Sequence, residues 1–214
     1  MTKAKRVVVL TDSMSLTRVD MQNWECTYIN RLRQKFPLVD FIHLGIGKVT
    51  IRELGNQLKR YYQFTDPDVI ILHCGIVDCA PRALRRWEQK VIARIPVFCH
   101  LVYRSRVFLR KFRSIQYTPP NVFERALLEI KGVFDVPLIS IGMAPPTENY
   151  EKKIPRISII MNSYNGILQK HTNFIDLKDF PRKAVGGDDY HYNELGHKIV
   201  YEKLSLVLGD LLAA

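Results

Sequence analysis

Ser13, Asp188 and His191 are the residue types that together turn an alcohol into a nucleophile for carbonyl attack. A serine needs a base to take its proton, and the base needs a carboxylate to fix its tautomer and balance the imidazolium that forms. Asp188 and His191 lie three apart in GGDDYHYNELGH (186–197), just before a helical pattern. One turn at that spacing can present a carboxylate and an imidazole in the same direction. Ser13 ends VVVLTDS (7–13), where four apolar residues stop abruptly on Thr11, Asp12 and Ser13. Read alone, that stretch suits a helix N-cap better than a nucleophile, because Ser and Asp side chains satisfy the free N–H groups of a first turn.

The elements around these residues predict an α/β architecture. Val7 to Leu10, without polar alternation, reads as a strand covered on both faces of a parallel sheet. Ligands in such sheets bind beyond the carboxyl ends of the strands, which is where Ser13 falls. Trp24, Tyr28, Leu32 and Phe36, with Ile29 beside them, form an amphipathic helical stripe ended by Pro37. Strands are expected at 39–47, 68–75, 137–143 and 173–177, and helices at 52–64, 156–171 and from about Asn193 to Leu212. Tyr61 and Tyr62 are expected in the core. The alternation implies a doubly wound parallel sheet in one domain spanning 1–214.

Segment 82–134 fits this pattern least well and is expected as a basic helical insert of two or three helices over one end of the sheet. VFCHLVY (97–103) within it reads equally as a strand. The chain carries a net charge of +11, and ten cations between Arg82 and Arg113 against the single acid Glu88 supply almost all of it. A basic footprint for nucleic acid over the whole surface is therefore not indicated, and no motif for one is present. No apolar segment has signal-peptide or membrane-spanning length, so a soluble cytoplasmic protein is expected. The four cysteines form no C-x-x-C pair, which favours buried free thiols over a metal or disulfide.

The ordered blocks TDSMSL (11–16), GIGKVTIREL (45–54), GIVD (75–78) and DDYH (188–191) resemble the GDSL, or SGNH, hydrolase family. The resemblance covers almost the whole chain. It implies a flavodoxin-like sandwich with a central parallel sheet, and the activity of a serine esterase, lipase, acetylhydrolase or acyltransferase. It places Ser13 as nucleophile, His191 as base and Asp188 as its orienter, with Asp189 able to take that last role or to cap the helix near Asn193. The backbone N–H groups of Ser13 and Gly47 become oxyanion donors. Two positions depart from the family pattern. Thr11 stands for the first glycine, and Val77 stands where the family's asparagine donates its side-chain amide. Losing one such donor costs roughly 2.7–4 kcal/mol in the transition state.

His73 and Arg82 are the candidates to replace that donor, and with Asp12 and Asp78 they make up the expected substrate-binding set. Asp78 could equally hold the loop after the third strand, and His197 is expected to be packed or solvated. The expected substrate is a small acyl ester or acylated saccharide, cleaved or transferred, and hydrolysis needs no metal or organic cofactor. The cations of the insert would suit an anionic saccharide or lipid-linked ligand, a coenzyme A phosphate, or an anionic membrane surface. Interleaved Trp87, Phe98, Tyr103, Phe108 and Phe112 would suit a membrane surface or stacking on sugar rings. A protein that keeps this fold to bind such a ligand, with little catalysis, is the competing expectation.

Overall fold

A computed structural model describes residues 4–18, 21 and 23–213, without the side chains of 96–98. Five strands, β1 (Arg6–Thr11), β2 (Asp40–Gly45), β3 (Val69–His73), β4 (Leu138–Ile141) and β5 (Asn173–Ile175), form one sheet in the order β2-β1-β3-β4-β5. Every neighbouring pair is parallel. This is the doubly wound flavodoxin-like order, with its switch point between β1 and β3. The apolar run that opens the chain follows from that position. Val7 and Val9 face one layer, Val8 and Leu10 the other, and all four are fully buried. Each such side chain contributes roughly 1.5–3 kcal/mol relative to exposure.

One face is covered by α1 (Tyr28–Lys35) and α9 (Glu194–Ala213), the other by α2 (Ile51–Gln57), α6 (Pro120–Lys131) and α8 (Ile157–His171). The Thr50 and Glu53 capping box starts α2, which runs on into a π-helical turn, Leu58–Tyr62. Two expected core aromatics are instead exposed. Thr27 caps α1, so the helix begins after Trp24, which sits on a preceding 3-10 turn at 61% exposure, and Tyr61 on the π turn is 58% exposed. Among the described residues, no helix is long and apolar enough to cross a membrane.

Segment 82–134 contains two kinds of structure. Phe123, Leu127 and Ile130 of α6 are fully buried against α2 and α8, so this helix belongs to the layer covering the sheet and not to an overlying insert. The basic part forms α4 (Arg86–Ile92) and α5 (Pro96–Arg113), and the stretch read equally as a strand lies within α5. No described side chain of α5 is buried. Trp87, Tyr103, Phe108 and Phe112 are exposed, and the side chain of Phe98 lies outside the described residues. All four cysteines are free, but only Cys74 and Cys79 are buried; Cys99 is exposed on α5.

The start of α9 grips the segment that carries Asp188 and His191. Gly196 lies so close to the strap before it that an added Cβ would collide with the Ala184 carbonyl oxygen and stand 2.9 Å from Tyr192 Cβ. Gly196→Ala should therefore cost about 1–3 kcal/mol, as overpacked sites do. Urea denaturation would measure this, and an unchanged midpoint would mean that the strap shifts freely.

Candidate active site

The site forms at the switch point, where the chain leaves β1 and β3. Asp12 is bound to the β3 end by its N–H, which donates to the His73 carbonyl at 2.9 Å. Its carboxylate caps the short 3-10 turn Ser13–Ser15 by accepting from the Met14 N–H at 2.9 Å. Asp12 thus fills the capping role, which leaves the Ser13 hydroxyl free for another partner.

That partner is His191, whose Nε2 lies 2.8 Å from Ser13 Oγ. On the other side of the ring, Nδ1 lies 2.5 Å from Asp188 Oδ2. A proton held on Nδ1 by the carboxylate leaves Nε2 as the acceptor facing the serine. The local turn fixes this alignment, since Asp188 Oδ1 also accepts from the His191 N–H at 3.0 Å and from the Tyr190 N–H at 3.4 Å. The strap is pinned by an isolated antiparallel bridge between Val185 and Tyr192, and by the Gly186 N–H donating to the His191 carbonyl at 2.7 Å. Burial draws the Asp188 carboxyl upward, but the hydrogen bonds from His191 outweigh it and hold the group below its usual range. Asp188 therefore stays ionised.

Asp189 takes neither of the roles open to it from the sequence. Its carboxylate receives Lys153 at 2.8 Å and Arg182 at 3.1 Å, with Thr147 and Asn149 beside them. Asn193 caps α9 instead, accepting from the Gly196 N–H at 3.2 Å. Arg18, which no sequence feature singled out, donates to Asp188 Oδ2 at 3.0 Å. A lone arginine in a loop carries no periodicity or motif that would have found it.

The Ser13 N–H, at the first position of its 3-10 turn, and the Gly47 N–H, in the exposed turn after β2, meet no acceptor among the described residues. Gly75, with φ at +132°, makes the sharp turn from β3 into α3 (Ile76–Cys79) that brings Val77 to the rim of the Ser13 cavity. Only glycine adopts that backbone region readily. Val77 is 8% exposed. Its side chain offers no donor.

Three residues expected to touch substrate are buried away from the cavity that holds Ser13. Asp12 and His73 line a separate small hollow of about 30 Å³ with Met14, Tyr190 and Tyr192, room for about two water molecules. His73 is not open as a donor to substrate, because the Tyr28 hydroxyl lies 2.8 Å from its Nδ1 and the Tyr192 hydroxyl 3.5 Å from its Nε2. Burial lowers its pKa to about 3, so the ring is neutral. His197 is likewise packed, stacked on Tyr28. Asp78 is fully buried, and both its oxygens accept from the Ile51 N–H at 3.2 Å, which ties the loop after β3 to the start of α2. Of the four, only Arg82 borders the Ser13 cavity, with its guanidinium 5.0 Å over the Tyr117 ring and Nη2 3.4 Å from the Val77 carbonyl.

Burial raises the Asp78 pKa from 3.8 to about 7. An acid raised on folding stabilises fully below its unfolded pKa, and that contribution is lost as pH rises through about 7. Asp78→Asn keeps an acceptor for Ile51 without the buried charge. Its stability relative to the parent should therefore rise between pH 4 and pH 8, by on the order of 4 kcal/mol at most. Urea unfolding of both proteins across that range tests this, and a difference independent of pH would contradict it.

No family model matches the chain, and neither does any curated protein. Solved structures do. A lipase/acylhydrolase from Enterococcus faecalis superposes with a TM-score of 0.64 at 13% identity, over 94% of this chain and 93% of that one. A member of the lipolytic G-D-S-L family from Veillonella parvula gives 0.65 at 12%, over 95% and 98%. The chain has the fold of the G-D-S-L hydrolases. An acetylxylan esterase from Geobacillus stearothermophilus is similar to the same degree, with a TM-score of 0.61 at 15% identity over 95% of this chain and 94% of that one.

Proposed function

We propose that this protein is a serine ester hydrolase of the G-D-S-L type that cleaves or transfers a small acyl group on a carbohydrate or similar polar substrate. The carrying observation is the continuous relay from Ser13 Oγ through His191 to Asp188, at 2.8 and 2.5 Å, across residues 178 apart in sequence. In this reading Ser13 Oγ attacks the acyl carbon while His191 Nε2 takes its proton. The Ser13 and Gly47 N–H groups stabilise the oxyanion. His191 then returns the proton to the leaving alkoxide, and water or an acceptor hydroxyl, deprotonated by the same ring, releases the acyl group from Ser13. An acyl-serine route of this kind requires no metal or organic cofactor.

The acylated-sugar part of the reading draws on the acetylxylan esterase among the similar folds. It is tested by acetate release from acetylated sugars and by 4-nitrophenol release from 4-nitrophenyl acetate. Both should be catalysed by the parent protein and lost in Ser13→Ala. Val77 favours a second reading, a ligand-binding protein with little turnover, and equal inactivity of parent and variant would support it.

A further inference from the structure

We infer that the cavity beside Ser13 binds a phosphate-class anionic group carried by the substrate. This rests on the ester-hydrolase reading for the identity of the substrate, but not for the anion site itself. The cavity has a volume of about 910 Å³, within the range that takes a ligand of sugar-phosphate size. Two acids border it, and both are committed. Glu53 holds Arg86 at 2.7 and 3.2 Å, and Asp188 holds His191 and Arg18. Lys153 at the rim is taken by Asp189 at 2.8 Å.

Lys48, Arg82, Lys90, Arg106 and Arg110 also line the cavity, and none has an acidic partner among the described residues. Three of them crowd together. Burial, and then the charges of Arg82 and Arg106, lower the Arg110 pKa. The Nε groups of Arg82 and Arg110 are buried and have no hydrogen-bond acceptor among the described residues. A solvated cationic face would spread these charges and wet these donors. Here they converge in a concavity, and an oxyanion would balance the charge. Guanidinium forks match the oxygens of a phosphate in pairs. A multiply charged group balances several of these cations where a carboxylate balances one. The candidate nucleophile also lines this cavity, which places a bound phosphate group and a reacting ester on one substrate.

Calorimetric titration with inorganic pyrophosphate, at low salt, tests the anion site without turnover, in the parent protein and in Ser13→Ala. Both should bind alike, and Arg106→Gln with Arg110→Gln should weaken binding by about tenfold or more. Lys48→Gln with Lys90→Gln, both exposed, provides a second variant that leaves the packing untouched and should weaken binding about threefold. Acetylated glucose 6-phosphate should be hydrolysed with a kcat/KM at least about tenfold above acetylated glucose, and that ratio should fall in the arginine variant. A lipid source is distinguished by phosphatidylglycerol vesicles, whose binding pyrophosphate should displace if the headgroup uses this site. No pyrophosphate binding by the parent, or binding by both charge variants equal to the parent's, would overturn the inference, and vesicle binding that pyrophosphate does not displace would overturn a lipid headgroup as the source of the anion. Pyrophosphate binding without any ester hydrolysis would uphold it while sinking the hydrolase reading.

Discussion

Ser13→Ala is expected to lower kcat for 4-nitrophenyl acetate by about 10³–10⁴-fold, with KM nearly unchanged. Removing the nucleophile from a complete serine-hydrolase site costs roughly 10⁶-fold. On the proposed reading this site begins without a side-chain donor at Val77, a deficit of roughly 10²–10³-fold, so less remains to be lost. KM should hold because the hydroxyl contributes to the transition state and not to ground-state binding. His191→Ala should give a loss of the same size, and the double variant should lose little more, since the two groups act as one unit. Steady-state kinetics with the purified variants provide the check. Additive losses in the double variant would mean that the 2.8 Å contact between Ser13 and His191 is not the one used in catalysis.

The second large effect is a gain. Val77→Asn should raise kcat by about 10²–10³-fold, because it installs an amide donor where the family pattern has one. Val77 is largely buried but borders the same cavity as Ser13, so a new amide there would have to direct its N–H groups into that cavity to be satisfied. The gain should be in kcat, as an interaction made only with the developing oxyanion requires. A folded Val77→Asn protein with unchanged kcat would mean that another group already acts as donor. Arg82, whose Nη2 lies 3.4 Å from the Val77 carbonyl, would then be the group to remove next.

The sheet was legible in the sequence because its strands are buried on both faces. Val7–Leu10 and Val69–Leu72 read as continuous apolar runs, and the structure covers each of these residues on one side or the other. The helix over 120–131 was harder to place. Its own apolar positions, Phe123, Leu127 and Ile130, are those of a sheet-covering helix, but the basic stretch before it drew it into the same expected insert. Local periodicity could not separate helix from strand at 97–103, since no described side chain of α5 is buried to impose a pattern.

At the site, Ser13 was ambiguous for a reason the structure makes plain. A serine and an aspartate in adjacent positions can each cap a turn, and only the Met14 N–H on Asp12 shows which one does. His73, Asp78 and Asp12 stand near the site in sequence but point into the layer beneath it, a distinction that depends on packing around Tyr28, Tyr192 and Ile51. Conversely, Arg18 reaches the site from a loop and Lys153 from the end of α7 (Glu148–Lys153), and no local pattern marks either.

Covalent labelling with a fluorophosphonate tests the central claim most directly, because the reagent reacts only with a serine whose proton a neighbouring base can take. Mass spectrometry of the digested adduct should find one equivalent per chain, on the peptide carrying Ser13, and none in His191→Ala. A folded protein that stays unlabelled, or one labelled on a different serine, would contradict the account.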